Sequence, residues 1–316
     1  MRIARTTEWP AAAAKAATKA IAVGTAAVGI VTVWRQLGSV SRSRWLKRHC
    51  PNFWLLLNAQ ARRQLPEGLK AYLSGTSDEV ERGRKWLRTA DTLIADLMKV
   101  CGAECVGDAY RRDCSGVRTA QQLAEILCEV SACAAISRMA THLTLRPNSG
   151  KNNRCSDFCA EVLGTVIYGE VKRYSDNWLA PDHPRPRSIV ATLDGTRPAD
   201  TLRPQSMNLR SKLRDVPKQL HAGSVGILFV FHSGFGENAR YIQAALLGDQ
   251  TFFESPVSAR APYPNGLFAL DEWRDVSACL FVSVSVGGAL VCRCLWENPN
   301  AHVRLPADLR DSFLAP

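Results

Sequence analysis

The chain has 316 residues, 46% of them hydrophobic and 22% charged, which excludes an intrinsically disordered protein and allows one large domain or two ordinary ones. Its formal net charge is +11, but residues 1–50 hold nine Lys or Arg against the single acid Glu8 and so carry +8, leaving +3 for everything after them. That distribution excludes a uniformly basic body, so nucleic-acid contact outside the arm requires a local patch.

In the basic arm, Ala20 to Trp34 (AIAVGTAAVGIVTVW) is 15 residues without a charge. A spanning helix needs about 20 apolar residues. Lys19 blocks extension backwards, and a basic cluster follows where a secretory cleavage site would stand. Residues 1–50 therefore read as an accessory arm or membrane-surface helix, with weak membrane association through residues 20–34 or an organelle presequence as alternatives.

Residues 53–73 and 77–100 are predicted helices within a helical lead-in region over 51–112. The second opens at Ser77-Asp78-Glu79 and places Val80, Leu87, Leu93, Ile94, Leu97 and Met98 on a helical period. A third helix starts from Thr119 as its N-cap and carries Leu123, Ile126, Leu127, Val130 and Ala134 on one face. A short strand, HLTLRP from His142, follows. Then Arg154 to Asp176, RCSDFCAEVLGTVIYGEVKRYSD, has apolar residues at nearly every second position, the pattern of a strand hairpin. Five prolines make residues 177–205 a loop or excursion. Beyond it the pattern predicts a helix over 207–221, a strand over 225–232 and a helix over 236–247. A closing hairpin, CLFVSVSV and ALVCRCLW, is expected to turn at Gly287-Gly288. Helices before, between and after the strands predict an α/β fold, a mixed central sheet flanked by helices, over residues 113–316.

The eleven cysteines include no C-x-x-C pair; the closest are Cys101/Cys105, Cys128/Cys133, Cys155/Cys159 and Cys292/Cys294. Several fall on apolar faces, where a free thiol behaves as a small hydrophobe. Reduced thiols in a cytoplasmic protein fit this pattern better than a zinc site.

The first hairpin carries an anomaly. Asp157, Glu170 and Lys172 are set into an otherwise core-like segment, and a buried charge costs several kcal/mol unless it is paired or binds a metal. Side chains alternate faces along a strand, so Glu170 and Lys172 point the same way. A two-residue turn at Leu163-Gly164 sets Asp157 opposite Glu170, and one at Gly164-Thr165 sets it opposite Lys172; either way the three share a face. Two converging carboxylates can hold a hard divalent cation with positions left for water and a phosphate. An adjacent Lys can orient or help deprotonate that water. The bland alternative is a cross-strand salt bridge from Asp157 to Lys172 with Glu170 in solvent.

At these residues the chain resembles the PD-(D/E)xK, or restriction-endonuclease-like, nuclease superfamily: Asp157, twelve residues, then Glu170-Val171-Lys172. The likeness covers roughly residues 115–250, and Ser156 stands where the family name has Pro. It implies a restriction-endonuclease-like core and catalysis by Asp157, Glu170 and Lys172, with Asp157 and Glu170 holding Mg²⁺ or Mn²⁺. An auxiliary acid on the preceding helix would be Glu129, with Glu125 as the fallback, and Gln219 would match a Gln on the helix after E-x-K. Arg138, Arg146, Lys151, Arg154 and Arg173 add local positive charge. The expected activity is phosphodiester hydrolysis on nucleic acid, DNA ahead of RNA. The rivals are a catalytically inactive nuclease-fold protein that binds nucleic acid or a protein, and a membrane-associated interaction protein acting through residues 1–112. A Ser nucleophile elbow is absent, and HSGFGEN from His232 lacks the third glycine of a dinucleotide fingerprint.

Overall fold

The apolar runs of the body pair into one six-stranded sheet whose strands lie in chain order. A computed structural model describes residues 41–147, 155–174, 198–231, 237–249, 251, 261–284 and 290–315. The strands are β1 (Ala140–Leu145), β2 (Phe158–Val162), β3 (Thr165–Arg173), β4 (Val225–Phe231), β5 (Ala278–Val284) and β6 (Leu290–Glu297). β1, β2 and β3 are antiparallel neighbours, β3, β4 and β5 run parallel, and β6 returns antiparallel to β5. The α/β expectation of a mixed, helix-flanked sheet is met. In β4 (VGILFVF) every residue is buried, as a central parallel strand covered on both faces requires.

Helices supply the two covers. Ahead of the sheet come α1 (41–49), α2 (Pro51–Leu55), α3 (Ala59–Arg63), α4 (Glu67–Tyr72), α5 (Ser77–Cys101), α6 (Ala103–Gly116) and α7 (Ala120–Ser137). α8 (Pro198–Leu213) and α9 (Glu237–Leu247) lie between the parallel strands in sequence, and α10 (Ala307–Leu314) closes the chain. One face of the sheet packs Phe158, Ile167, Val171 and Phe229 against Leu87, Ile94, Leu127 and Val130. The other packs Leu228, Val230 and Phe281 against Leu209, Ile242 and Leu246. The first core runs without a break from Leu46 to Phe313, so the helices of the lead-in region and the sheet share it.

Three expected boundaries move. The single helix expected over 53–73 is three short ones, because the Asn58 side chain accepts the Ala61 N–H to start α3 and Pro66 stands at the cap of α4. α5 is capped by Thr76, one residue earlier than expected, in a reciprocal capping box with Glu79. The helix expected over 207–221 instead starts at Pro198 and ends at Leu213, followed by a 3₁₀ turn at Val216–Lys218. Thr119 caps α7 as expected, with Gln122 completing the box. No helix of the described residues is long and apolar enough to cross a membrane. Residues 20–34, Lys151, Arg154, the excursion over 177–197 and the Gly287-Gly288 turn lie outside the described residues.

Candidate functional site

β2 and β3 are joined by Leu163-Gly164, whose φ values of 52° and 74° are the left-handed pair that a primed two-residue turn needs. The register that follows pairs Phe158 with Gly169, and Gly169 is required there: a Cβ on it would lie 2.1 Å from Phe158 Cζ. One residue before β2, the Asp157 N–H donates to the Gly169 carbonyl at 3.0 Å. Asp157 therefore stands opposite Glu170, the outcome of the Leu163-Gly164 alternative, and Asp157, Glu170 and Lys172 meet at the carboxyl end of β3. In α/β sheets, ligands gather outside the carboxyl ends of the parallel strands.

A cleft of about 990 Å³ opens there between the two helical covers. Asp157, Glu170, Lys172, Glu129 and Gln219 all line it, as does Glu125. Arg112, Arg118, Arg173 and Lys212 stand around the acids on its wall. The outcome differs from a simple cross-strand bridge. Lys172 Nζ pairs with Glu170 Oε1 rather than with Asp157, and Glu170 is fully buried rather than solvated. Its Oε2 is buried without a direct hydrogen bond, although the nearby Gln219 side chain helps to hold its charge. Asp157 Oδ2 accepts the Val171 N–H at 2.6 Å, which aims the carboxylate across the strand pair.

Burial raises the Asp157 carboxyl well above its ordinary range, and the Glu170 and Glu129 carboxylates raise it further. Burial also raises Glu170, against the pull of Lys172. Burial works against the Lys172 ammonium, but Glu170 and Asp157 outweigh it and hold its pKa above normal. Lys172 is therefore a proton-holding cation, suited to orienting a water or a phosphate rather than to taking a proton.

Arg146 is the residue that sequence reasoning undervalued, as one more surface cation. It follows β1 with a left-handed φ of 47°, a conformation that costs a non-glycine residue roughly 1–2 kcal/mol. Its N–H donates to the Asp157 carbonyl at 2.9 Å. Its guanidinium grips Glu129 with two bonds, Nε to Oε1 at 2.9 Å and Nη2 to Oε2 at 3.0 Å. Nη1 donates to Asp113 Oδ2 at 2.6 Å and to the Ala109 carbonyl at 2.7 Å, and the group lies 4.9 Å over the Tyr110 ring. The only sequence signal was its place at the end of the β1 run.

The other expected residues take ordinary roles. Both oxygens of Glu129 are taken by Arg146, so it shapes the field of the cleft from behind. Glu125 is exposed and accepts from Gln121 at 3.1 Å. Arg138 bonds Asp96 at 3.2 Å and does not line the cleft.

Asp113 and Glu129 are held by Arg146, with Arg112 4.0 Å from Asp113, and Glu170 is paired with Lys172, while Arg118, Arg173 and Lys212 add positive charge on the cleft wall. Among the described residues no group of three or more His, Cys, Asp or Glu side chains is placed to hold a metal ion. Two carboxylates with one oxygen each to spare still match a hard cation that keeps most of its waters. Asp157 Oδ1 and Glu170 Oε2 are those oxygens. Compared with known protein families, with characterised proteins and with solved structures, the chain has no match.

Proposed function

We propose that the chain is a metal-dependent nuclease of the PD-(D/E)xK type that hydrolyses phosphodiester bonds of nucleic acid, DNA in the first instance. The carrying observation is the pair Asp157 and Glu170: opposite each other, Glu170 fully buried and Asp157 half-buried, with a spare oxygen on each. Asp157 and Glu170 would hold Mg²⁺ or Mn²⁺. When bound, such an ion lowers the pKa of water and offsets charge on a phosphate. Lys172, fixed by Glu170, orients the attacking water and donates to the phosphate. Arg118, Arg173 and Lys212 at the cleft wall attract the flanking backbone. The reading is supported by α8, β4 and α9 following β3, since the resemblance expects a helix, a strand and a helix downstream of E-x-K. Eleven unpaired thiols suit a reducing compartment such as the cytoplasm.

The second reading is a non-catalytic binding module on the same fold. It is favoured by Glu129, whose engagement with Arg146 leaves two rather than three free acids.

Cleavage assays on single- and double-stranded DNA and on RNA separate the two. With Mg²⁺ or Mn²⁺ the chain should cleave at least one of them, EDTA should stop the reaction, and Asp157→Asn should slow it about 100-fold or more. Calorimetry should show Mn²⁺ binding that Asp157→Asn removes. No cleavage and no Mn²⁺ heat, with nucleic-acid binding retained, would establish the binding module instead.

A further inference from the structure

Beside the acidic cluster the same side of the hairpin carries two stacked rings that the proposed chemistry leaves unused. Tyr168 lies two residues before Glu170 on β3 and shares its side; a strand advances about 3.3 Å per residue, so the step is about 7 Å. The His221 imidazole lies nearly flat on the Tyr168 ring, with centroids 5.0 Å apart and planes at 16°. Tyr168 is half-buried while His221 is exposed, so the imidazole forms the outer layer of the stack.

Both rings are anchored. His221 Nδ1 sits 3.2 Å from Ser224 Oγ, and Tyr168 is paired directly across the hairpin with Cys159. The segment carrying His221 is tied to the start of β2 by Ser156 Oγ, which donates to the Gln219 carbonyl at 2.7 Å. Gln219, two residues before His221, lines the acidic cleft. A flat, rigidly backed π surface is thus carried on β3 about 7 Å along the strand from Glu170, about one sugar–phosphate unit.

That spacing selects a ligand. A phosphate at the carboxylates with a planar ring attached one unit away is a nucleotide whose base is unpaired, because bases inside a duplex present only their edges. Stacking on a ring also tolerates any base, since every base has a π face.

We propose that His221, laid on Tyr168, is a stacking platform for an unpaired nucleobase next to the phosphate held at Asp157 and Glu170, so that the substrate is single-stranded or locally opened nucleic acid. The proposal rests on the nuclease reading and narrows its substrate.

The test is fluorescence anisotropy of the full chain with labelled oligothymidylate, with a duplex of the same length, and with an oligothymidylate carrying abasic sites. Ca²⁺ replaces Mg²⁺, to fill oxygen sites while activating water less. His221→Ala should weaken oligothymidylate binding about fivefold or more and leave duplex binding unchanged. His221→Phe should restore it, and the abasic strand should bind wild type and His221→Ala alike. A loss through mere loosening of the fold would strike all three ligands and lower Tm equally in both variants. Wild-type binding of oligothymidylate that His221→Ala leaves unmoved, or weakens no more than duplex binding, removes the platform and leaves the nuclease reading standing. Wild-type chain that binds none of the three ligands removes both.

Discussion

Glu170 and Lys172 show how unequally the two halves of an ion pair are placed. Glu170 is fully buried and Lys172 is 29% exposed, so losing each partner has a different cost. Lys172→Ala leaves a buried carboxylate beside Asp157 with no cation bonded to it, and should destabilise the fold by about 3 kcal/mol in urea unfolding. Glu170→Gln instead removes one of two mutually repelling carboxylates and lets Lys172 turn to solvent. It should unfold at the same urea concentration as wild type, or be more stable by about 1 kcal/mol, while Mn²⁺ binding disappears. A gain of stability with a loss of ligand is the mark of a site held ready at the expense of the fold; equal destabilisation by both changes would make the trio a structural bridge. The Arg146 clamp belongs to the same scale. Its partners Glu129, Asp113 and Ala109 lie 17 to 37 residues away in sequence, and no local pattern announces such a meeting.

The β2–β3 hairpin is the element that was most legible beforehand. Its alternation fixes which residues share a side, so the common face of Asp157, Glu170 and Lys172 could be read from spacing, but two turn positions left open whether Asp157 faces Glu170 or Lys172. Leu163 is the turn's weak point: it is 56% exposed and holds a left-handed φ of 52°. Leu163→Asn puts a residue that tolerates this conformation at the same place and should raise stability by about 1 kcal/mol, measured by thermal unfolding. No gain would mean that the apolar side chain contributes something at the turn that offsets its strain. Helix boundaries were less legible. Pro198 read as one proline of a loop, yet it stands at the first position of α8, where a missing N–H costs nothing. The breaks at Asn58 and Pro66 could have been read by the same capping logic. Which carboxylate Lys172 would choose was not readable, because parity allows both and burial of Glu170 decides between them.

At the scale of the whole chain, one core joins helices α1 to α7 to the sheet, and it is rich in thiols. Burial pushes Cys50, Cys114 and Cys128 up to about 12 and Cys133 well above the ordinary value of 9; Cys279, in the core on the opposite face, is raised likewise. In the unfolded chain these groups ionise near 9, whereas in the folded chain they keep their protons. Above pH 9 the unfolded state therefore binds fewer protons, and stability falls as pH rises, by about 1.4 kcal/mol per pH unit for each such thiol until its folded value is reached. Urea unfolding followed across that range should show a steep alkaline loss, and Cys114→Ala should make the slope shallower by one thiol's share. An unchanged slope would mean that Cys114 is open to solvent. The Ser156 hydroxyl draws together the two halves of the cleft region, the hairpin that bears the acids and the segment that bears Gln219 and His221. A redesign that wrote proline at 156 would cut that mooring. The hydroxyl is the hinge pin that holds the His221 segment against the hairpin.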